Sequence, residues 1–404
     1  MILRWLFSLS VRRATNFCRQ VQKGLNAQRD LLSRQAIEAV NRSIGELRNR
    51  LASGADRKTL LAGMADLEKA AAKWLKPNPH AALRENVEVV LVAVSVALAI
   101  RTFFLQPFKI PTGSMQPTLY GIVSEDLREL PGARVPTGLV RLYDSWVRGI
   151  SYCHKVAKED GMLEAFEPPK LIFPLIYRQK VKVGREWYTI WSSVDNLPGR
   201  GGMEPGHLYH RGDDLIKLRI KNGDHLFVDR LTYNFRHPKR GEIIVFETHG
   251  ITNRLTGQPA MPQDQFYVKR LVALGDESVA IGNDRHLRIN GWRLDTSTPH
   301  FENVYSFNPA ESPKDSTYSG HLNAYVASQF AQKAGQPALT QIAPLFPDER
   351  TIFKVRPDHY LVMGDNTVNS YDGRAWGDFP RTNVIGRHWF VYWPISARFG
   401  WAAR

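Results

Sequence analysis

Three short stretches of this sequence carry residues that could do chemistry together. Residues 106–120 read QPFKIPTGSMQPTLY, with Ser114 between Gly113 and Met115 on a turn bracketed by Pro111 and Pro117. A nucleophilic serine needs an accessible hydroxyl on a rigid turn, a base within hydrogen-bond reach, and donors aimed at the developing oxyanion. Residues 266–274, FYVKRLVAL, set Lys269 inside a strand-like apolar run. Desolvation beside Tyr267 and Val268 would lower the pKa of that amine and fit it for general-base work. Residues 361–377, LVMGDNTVNSYDGRAWG, read as a strand entering a polar loop with Asp365, Asn366, Ser370, Asp372 and Arg374. Each stretch alone also has a plain structural reading. The first is a proline-flanked turn, the second an edge-strand lysine facing water, and the third a turn with a surface ion pair worth little.

In combination and in this order, the stretches resemble the type I signal peptidase family, membrane-bound Ser-Lys proteases that remove signal peptides from exported proteins. The blocks that carry the resemblance are an apolar helix, FKIPTGSMQPTL, NGDHLFVDRLTYNFRHPKRGEIIVF at 222–246, FYVKR, and GDNTVNSYDGRAWG. The resemblance implies that Ser114 is the nucleophile and Lys269 the general base. It implies an oxyanion hole made by the Ser114 N–H and the hydroxyl of Thr112, which stands where serine is usual and keeps the donor. Ser370 corresponds to the serine that hydrogen-bonds and orients the lysine. Asp372 and Arg374 correspond to a supporting ion pair, with Asp365 and Asn366 in the same supporting loop. Ile110, Met115 and Val268 would line shallow pockets for small substrate residues at positions −1 and −3. Signal peptides of exported preproteins and a lipid bilayer follow as partners, with no cofactor and no metal.

The chain departs from the family pattern in three places. Val368 replaces an acidic residue usual in the GDN loop, which removes one support of Arg374. The turn after Lys269 and Arg270 is shortened to Ala273, Leu274, Gly275 and Asp276. An insertion of residues 120–214 separates the nucleophile block from the next motif. Two alternative readings are a Ser-Lys protease dedicated to a narrow substrate set and a non-catalytic membrane-tethered binding protein on the same scaffold. The second is disfavoured because every catalytic position holds a competent residue.

The elements that must position these residues are legible in charge and texture. The chain has 404 residues, 54 Lys+Arg and 39 Asp+Glu, a formal charge of +15. Residues 1–86 hold 16 of the basic and 7 of the acidic residues, so the excess is concentrated ahead of the apolar stretch VEVVLVAVSVALAIRTFFL at 87–105. Residues 86–106 would make about 31 Å of helix, enough for a ~30 Å hydrocarbon core, with Pro107 ending it. Lys69, Lys73, Lys76 and Arg84 precede this span and only Lys109 closely follows it. The positive-inside rule then puts the N-terminus in the cytoplasm and the rest outside, by default across a bacterial inner membrane. Residues 1–13 read as an interfacial segment, and residues 14–76 as two amphipathic helices divided at Ser53 and Gly54, ended by Pro77 and Pro79.

After residue 107 the texture becomes β-rich, with strands expected at 225–228, 242–246, 265–274, 278–281, 360–363 and 384–393. The expected fold is mainly β: an antiparallel catalytic ectodomain at 107–404 with insertions at 120–214 and 282–356. It follows a helical segment at 1–85 and a transmembrane helix at 86–106. Two cysteines exclude a disulfide-stapled scaffold and a Cys₄ site, and His207 and His210 lack further ligands at metal-site spacing. No base-reading helix is visible, so no nucleic-acid partner is expected. The oligomeric state is not encoded in any pattern found.

Overall fold

The computed structural model describes residues 8–75, 81–130, 132–173, 176–192, 197–305, 320–335 and 337–402. The chain divides into two units, Met1–Val94 and Ser95–Arg404. In the first, three helices share one core: α1 (Leu9–Ala27), α2 (Arg34–Ala52) and α3 (Arg57–Trp74). Val11, Ala14, Cys18, Val21 and Leu25 on α1 recur at helical spacing and meet Val40, Ile44 and Leu47 on α2 and Leu60 and Leu67 on α3. The sequence pattern divides this region only at Ser53 and Gly54, so it gives two helices where the chain has three. The unforeseen break precedes Ser33, whose hydroxyl accepts from the Ala36 N–H and caps α2. Asp56 caps α3 in the same way through Thr59. Residues 1–7 and the helix stop at Pro77 and Pro79 lie outside the described residues.

Helix α4 (Ala81–Phe103) contains the stretch Glu85–Phe103, the one described helix long and apolar enough to cross a membrane. None of that stretch is buried by protein. The sequence pattern carries the helix to Gln106 and ends it at Pro107. Instead the chain is already a strand at Leu105, and Pro107 sits inside that strand opposite Phe227. An edge strand tolerates the missing N–H of proline.

The second unit is built on an antiparallel sheet. Its strands are β1 (Leu105–Lys109), β2 (His225–Asp229), β3 (Ile243–Glu247), β4 (Phe266–Ala273), β5 (His359–Met363), β6 (Phe379–Pro380), β7 (Val384–Trp393) and β8 (Gly400–Trp401). The spatial order is β1-β2-β7-β3-β4-β5-β6, with β8 paired to β7. Strand β3 reads IIVFE because both of its faces are covered. Ile244 and Phe246 pack with Leu271, Val362, Trp376 and Phe379 on one side. Ile243 and Val245 pack with Ile110, Met115, Leu226 and Val391 on the other. The run HWFVYW of β7 is therefore an interior strand of the sheet.

The stretch after the Ser114 segment has more structure than its sequence texture suggests. Strands Val123–Asp126, Ile150–Val156 and Asp214–Lys221 form one small sheet, and Gly161–Phe166, Lys170–Phe173, Ile176–Val183, Glu186–Ser192 and Leu208–Tyr209 form another. They enclose a core of their own that includes Leu163, Val181, Val183, Ile190, Leu215 and Leu218. This module extends to Lys221, beyond residue 214, because its last strand pairs with its first two. Its two ends touch. The Asp224 N–H donates to Tyr120 O at 2.8 Å, the Tyr120 N–H donates to Asp224 Oδ2 at 2.8 Å, and Arg398 grips the same carboxylate. Gly223 has no room for a side chain there, since a Cβ would overlap the Ile110 carbonyl oxygen.

The second inserted stretch behaves differently. It contributes Leu287–Ile289, Trp292–Arg293 and Phe353–Lys354, which join Ser278–Ile281 in a four-stranded sheet, and the helix α5 (Ala324–Ala334). Its core residues Phe301, Val304 and Phe346 are continuous with Val272 and Ala273 of β4 and Leu361 and Met363 of β5. It is fused to the back of the main sheet.

Candidate active site

Directly after β1, the chain turns through Thr112 into a short 3₁₀ turn, Gly113–Met115. Met115 is buried and anchors this turn in the same apolar cluster as Ile110, with half-buried Val268 packed against it. Thus Ile110, Met115 and Val268 are brought together beside Ser114. Strand β4 lies alongside, and its alternation sends Lys269 and Arg270 to opposite faces.

Lys269 Nζ lies 2.7 Å from Ser114 Oγ. Both residues are buried, Ser114 at 7% and Lys269 at 4% exposure. Burial pushes the Lys269 amine down from 10.5 to about 8; Asp372 and Asp365 oppose that shift and Arg374 adds to it. The Thr112 hydroxyl donates to Ser114 Oγ at 3.4 Å, so a second hydroxyl shares the small volume around the serine oxygen. The Tyr267 ring lies 5.8 Å from Lys269 Nζ. The cavity at Leu127, Arg134, His207 and Lys217 belongs to the first inserted module and does not include the pair. A site for an extended chain needs neighbouring strands rather than a deep hole.

The loop after β5 braces this pair from behind. Asn366 donates its backbone N–H to Ser114 O at 3.1 Å and its side-chain amide to Gly113 O at 3.1 Å and Gln116 Oε1 at 3.3 Å. One residue therefore holds the Ser114 turn at three points. Asn366→Ala is expected to lower catalytic turnover about 10- to 100-fold with little change in substrate KM, since it loosens placement and not binding. Steady-state kinetics on the purified variant checks this. Gly364 is required at its position because a Cβ would overlap Ser114 O and Ser370 Oγ.

Asp365 ties two elements together. It accepts from Arg270 Nε at 2.7 Å and from the Thr118 hydroxyl at 2.5 Å, which links β4 to the segment after Ser114. Arg270 is the residue that sequence reasoning passed over. The available signal was a second cation in an apolar strand, on the face opposite Lys269, where burial demands a carboxylate partner.

Asp372 and Arg374 form a fully buried pair, not a surface one. Arg374 Nε donates to Asp372 Oδ1 at 2.9 Å, and the Gly364 N–H donates to Asp372 Oδ2 at 2.9 Å. Burial works against ionisation of Asp372, but the guanidinium and these hydrogen bonds hold it below the usual carboxylate range. Arg374 Nη1 donates to Thr367 Oγ1 at 2.6 Å and Nη2 to Thr367 O at 2.8 Å. Thr367 thus supplies contacts to Arg374 in the loop where Val368 offers no acid.

Ser370 differs from expectation. Its Oγ is buried without a hydrogen bond of good geometry, to Lys269 or to any other described group. It lies close enough to Asp372 to contribute to lowering that carboxyl. Among the described residues, no group of three or more His, Cys, Asp or Glu side chains is placed to hold a metal ion.

The model of the family Signal peptidase, peptidase S26, matches residues 83–125 and 216–393. These bounds leave out most of the first inserted module. Signal peptidase I of Leptolyngbya laminosa is 29% identical over 178 residues, covering 44% of this chain and 64% of that protein. Probable signal peptidase I-2 of Synechocystis is 28% identical over 176 residues, covering 44% and 58%. Signal peptidase I of Helicobacter pylori is 28% identical over 199 residues, covering 44% and 61%. The chain spans about three fifths of the length of these relatives.

Proposed function

Because the chain belongs to the signal peptidase family, peptidase S26, whose model matches more than half of it, we propose that it is a serine endopeptidase that removes N-terminal signal peptides from exported proteins. The observation that carries the reading is the 2.7 Å approach of Lys269 Nζ to Ser114 Oγ in a buried setting. An amine that titrates near 8 is neutral in a useful fraction of molecules at neutral pH and can accept the serine proton.

In this scheme Ser114 Oγ attacks the scissile carbonyl while neutral Lys269 takes its proton. The Ser114 N–H and the Thr112 hydroxyl donate to the oxyanion. Lys269 then returns the proton to the leaving amine, and a water activated by Lys269 hydrolyses the acyl-enzyme. The cluster of Ile110, Met115 and Val268 would admit only small side chains at −1 and −3. Asn366, Asp365, Asp372 and Arg374 hold the two reacting groups in register. The scheme requires neither metal nor organic cofactor.

Helix α4 would anchor the enzyme in a bacterial inner membrane as a single span. The basic residues before it favour a cytoplasmic N-terminus and a catalytic unit on the far side. The test is cleavage of several unrelated exported preproteins by the purified full chain in detergent, with N-terminal sequencing of the products. Cleavage after a small residue supports the reading. Preproteins that all stay intact over the neutral to alkaline range would overturn it.

A further inference from the structure

Arg374 is held from outside its own loop as well as from within it. The segment His321, Leu322, Asn323 of the second inserted stretch is completely buried. A buried backbone N–H must find an acceptor, and that of Leu322 donates to Thr367 Oγ1 at 2.9 Å. The same oxygen accepts from Arg374 Nη1 at 2.6 Å. Two further bonds join the same stretch to the site. The Leu345 N–H donates to Arg374 O at 3.2 Å, and Arg270 Nη1 donates to His300 O at 2.5 Å. Apolar packing supplements them: Val368, the apolar member of the polar loop, sits against Leu322, Val326 and Ala327 at the start of α5. Asn323 locks that helix start, accepting from the Val326 N–H and donating to Ile281 O.

From these contacts we infer that the stretch 282–356 is a positioning element of the active site, and that Thr367 is the positioning residue through which it holds Arg374 against Asp372, behind Lys269. The inference rests on the proposed function only for its catalytic consequence. A stretch that merely thickened the sheet would need only the apolar contacts of Phe301 and Phe346 with β4 and β5.

The groups that face Lys269 are Ser114 and the Tyr267 ring, with Asp372, Arg374 and Asp365 within electrostatic reach. Those that face Arg374 are Asp372 from its own turn and His321 from the inserted stretch. Burial, then Arg374, hold His321 near 3, so it carries no charge at working pH. Arg270 is neutralised by Asp365. Arg374 therefore sets the balance: held in place, it offsets Asp372 and favours the neutral amine. Released, it leaves Asp372 to favour the ammonium form.

The test compares the full-length parent with Thr367→Val and Thr367→Ser, titrating the Lys269 amine by NMR of ε-carbon-labelled lysine and recording the pH profile of preprotein cleavage. Thr367→Val should move the Lys269 titration and the acidic limb of the profile up by about one pH unit. Cleavage at pH 7 then falls about tenfold and recovers toward the parent value at alkaline pH. Thr367→Ser keeps the acceptor oxygen and should stay within about threefold of the parent throughout. An unmoved Lys269 titration, or an equal fractional loss at every pH, overturns the inference. The NMR titration does not depend on turnover, so a parent that cleaves no preprotein would sink the proposed function and leave this measurement decisive. Should Thr367→Val fail to fold, Val326→Ala loosens the packing of Val368 against α5 without adding a charge and is expected to displace the Lys269 titration in the same upward direction; no displacement there overturns the inference equally.

Discussion

Ser114→Ala is expected to fold and to lose preprotein cleavage by at least about 10⁴-fold, because no other hydroxyl can take over attack on the carbonyl. Thr112 is the nearest alternative, yet it sits 3.4 Å from Ser114 Oγ on the donor side and lacks the amine contact. The substitution removes one buried hydroxyl and leaves Lys269 Nζ without its near partner, a cost of roughly 1–3 kcal/mol. The melting temperature should therefore fall by only a few degrees. Labelling by a serine-reactive penem should be lost in parallel. Cleavage by this variant above about 1% of the parent rate would remove Ser114 from the mechanism.

Lys269→Met is expected to abolish cleavage to a similar extent while making the protein more stable at neutral pH. The amine titrates at 10.5 when exposed and at about 8 in the folded chain. Between those two values the unfolded state binds more protons, so stability rises with pH across this window. Below about pH 8 the folded protein carries a buried ammonium whose burial costs roughly 2–4 kcal/mol. Methionine fills the same volume without that cost. The variant should therefore unfold at higher urea concentration than the parent at pH 7, with the gap closing by about pH 10.5. The parent enzyme should show an acidic limb in kcat/KM near pH 8. A limb near 6 or 10, or a methionine variant less stable than the parent at pH 7, would remove Lys269 as the titrating base.

Much of the main sheet was legible because its strands follow period-2 or continuous apolar runs bounded by Gly and Pro turns. The expected strand at 384–393 coincides with the observed one, those at 225–228 and 360–363 differ by one residue, and in the neighbouring four-stranded sheet the strand at 278–281 coincides as well. The helix end at Phe103 was not legible. Propensity would carry the helix on to Pro107, but pairing of Leu105 with Asp229 pulls the chain into the sheet first. The break before Ser33 was also missed, since a capping serine carries a weak signal between two helices of similar composition.

At the site, the residue types at Ser114, Lys269 and Asn366 told what chemistry to look for, and their separation in sequence told nothing about contact. Arg270 carried a signal that was passed over, whereas Thr118 and Thr367 were invisible for a physical reason. Their importance lies in satisfying buried charges, and burial is a property of the folded chain. Ser370 shows the converse, a residue whose type suits a role that its hydrogen bonding does not display.

The touching ends of the first inserted module, Tyr120 and Asp224, have a consequence for divergence among such enzymes. Roughly a hundred residues leave and rejoin the chain at one seam, where the connection is already closed by hydrogen bonds. The entropy of closing a loop grows only slowly with its length, so the seam can accept a large domain, a short turn or nothing at similar cost. The Ile110 N–H donates to Asp224 O at 2.9 Å, so this seam is stitched to the segment that leads into Ser114. Lineages could therefore trade the whole appendage as a cassette while Ser114 and its neighbours stay where they are.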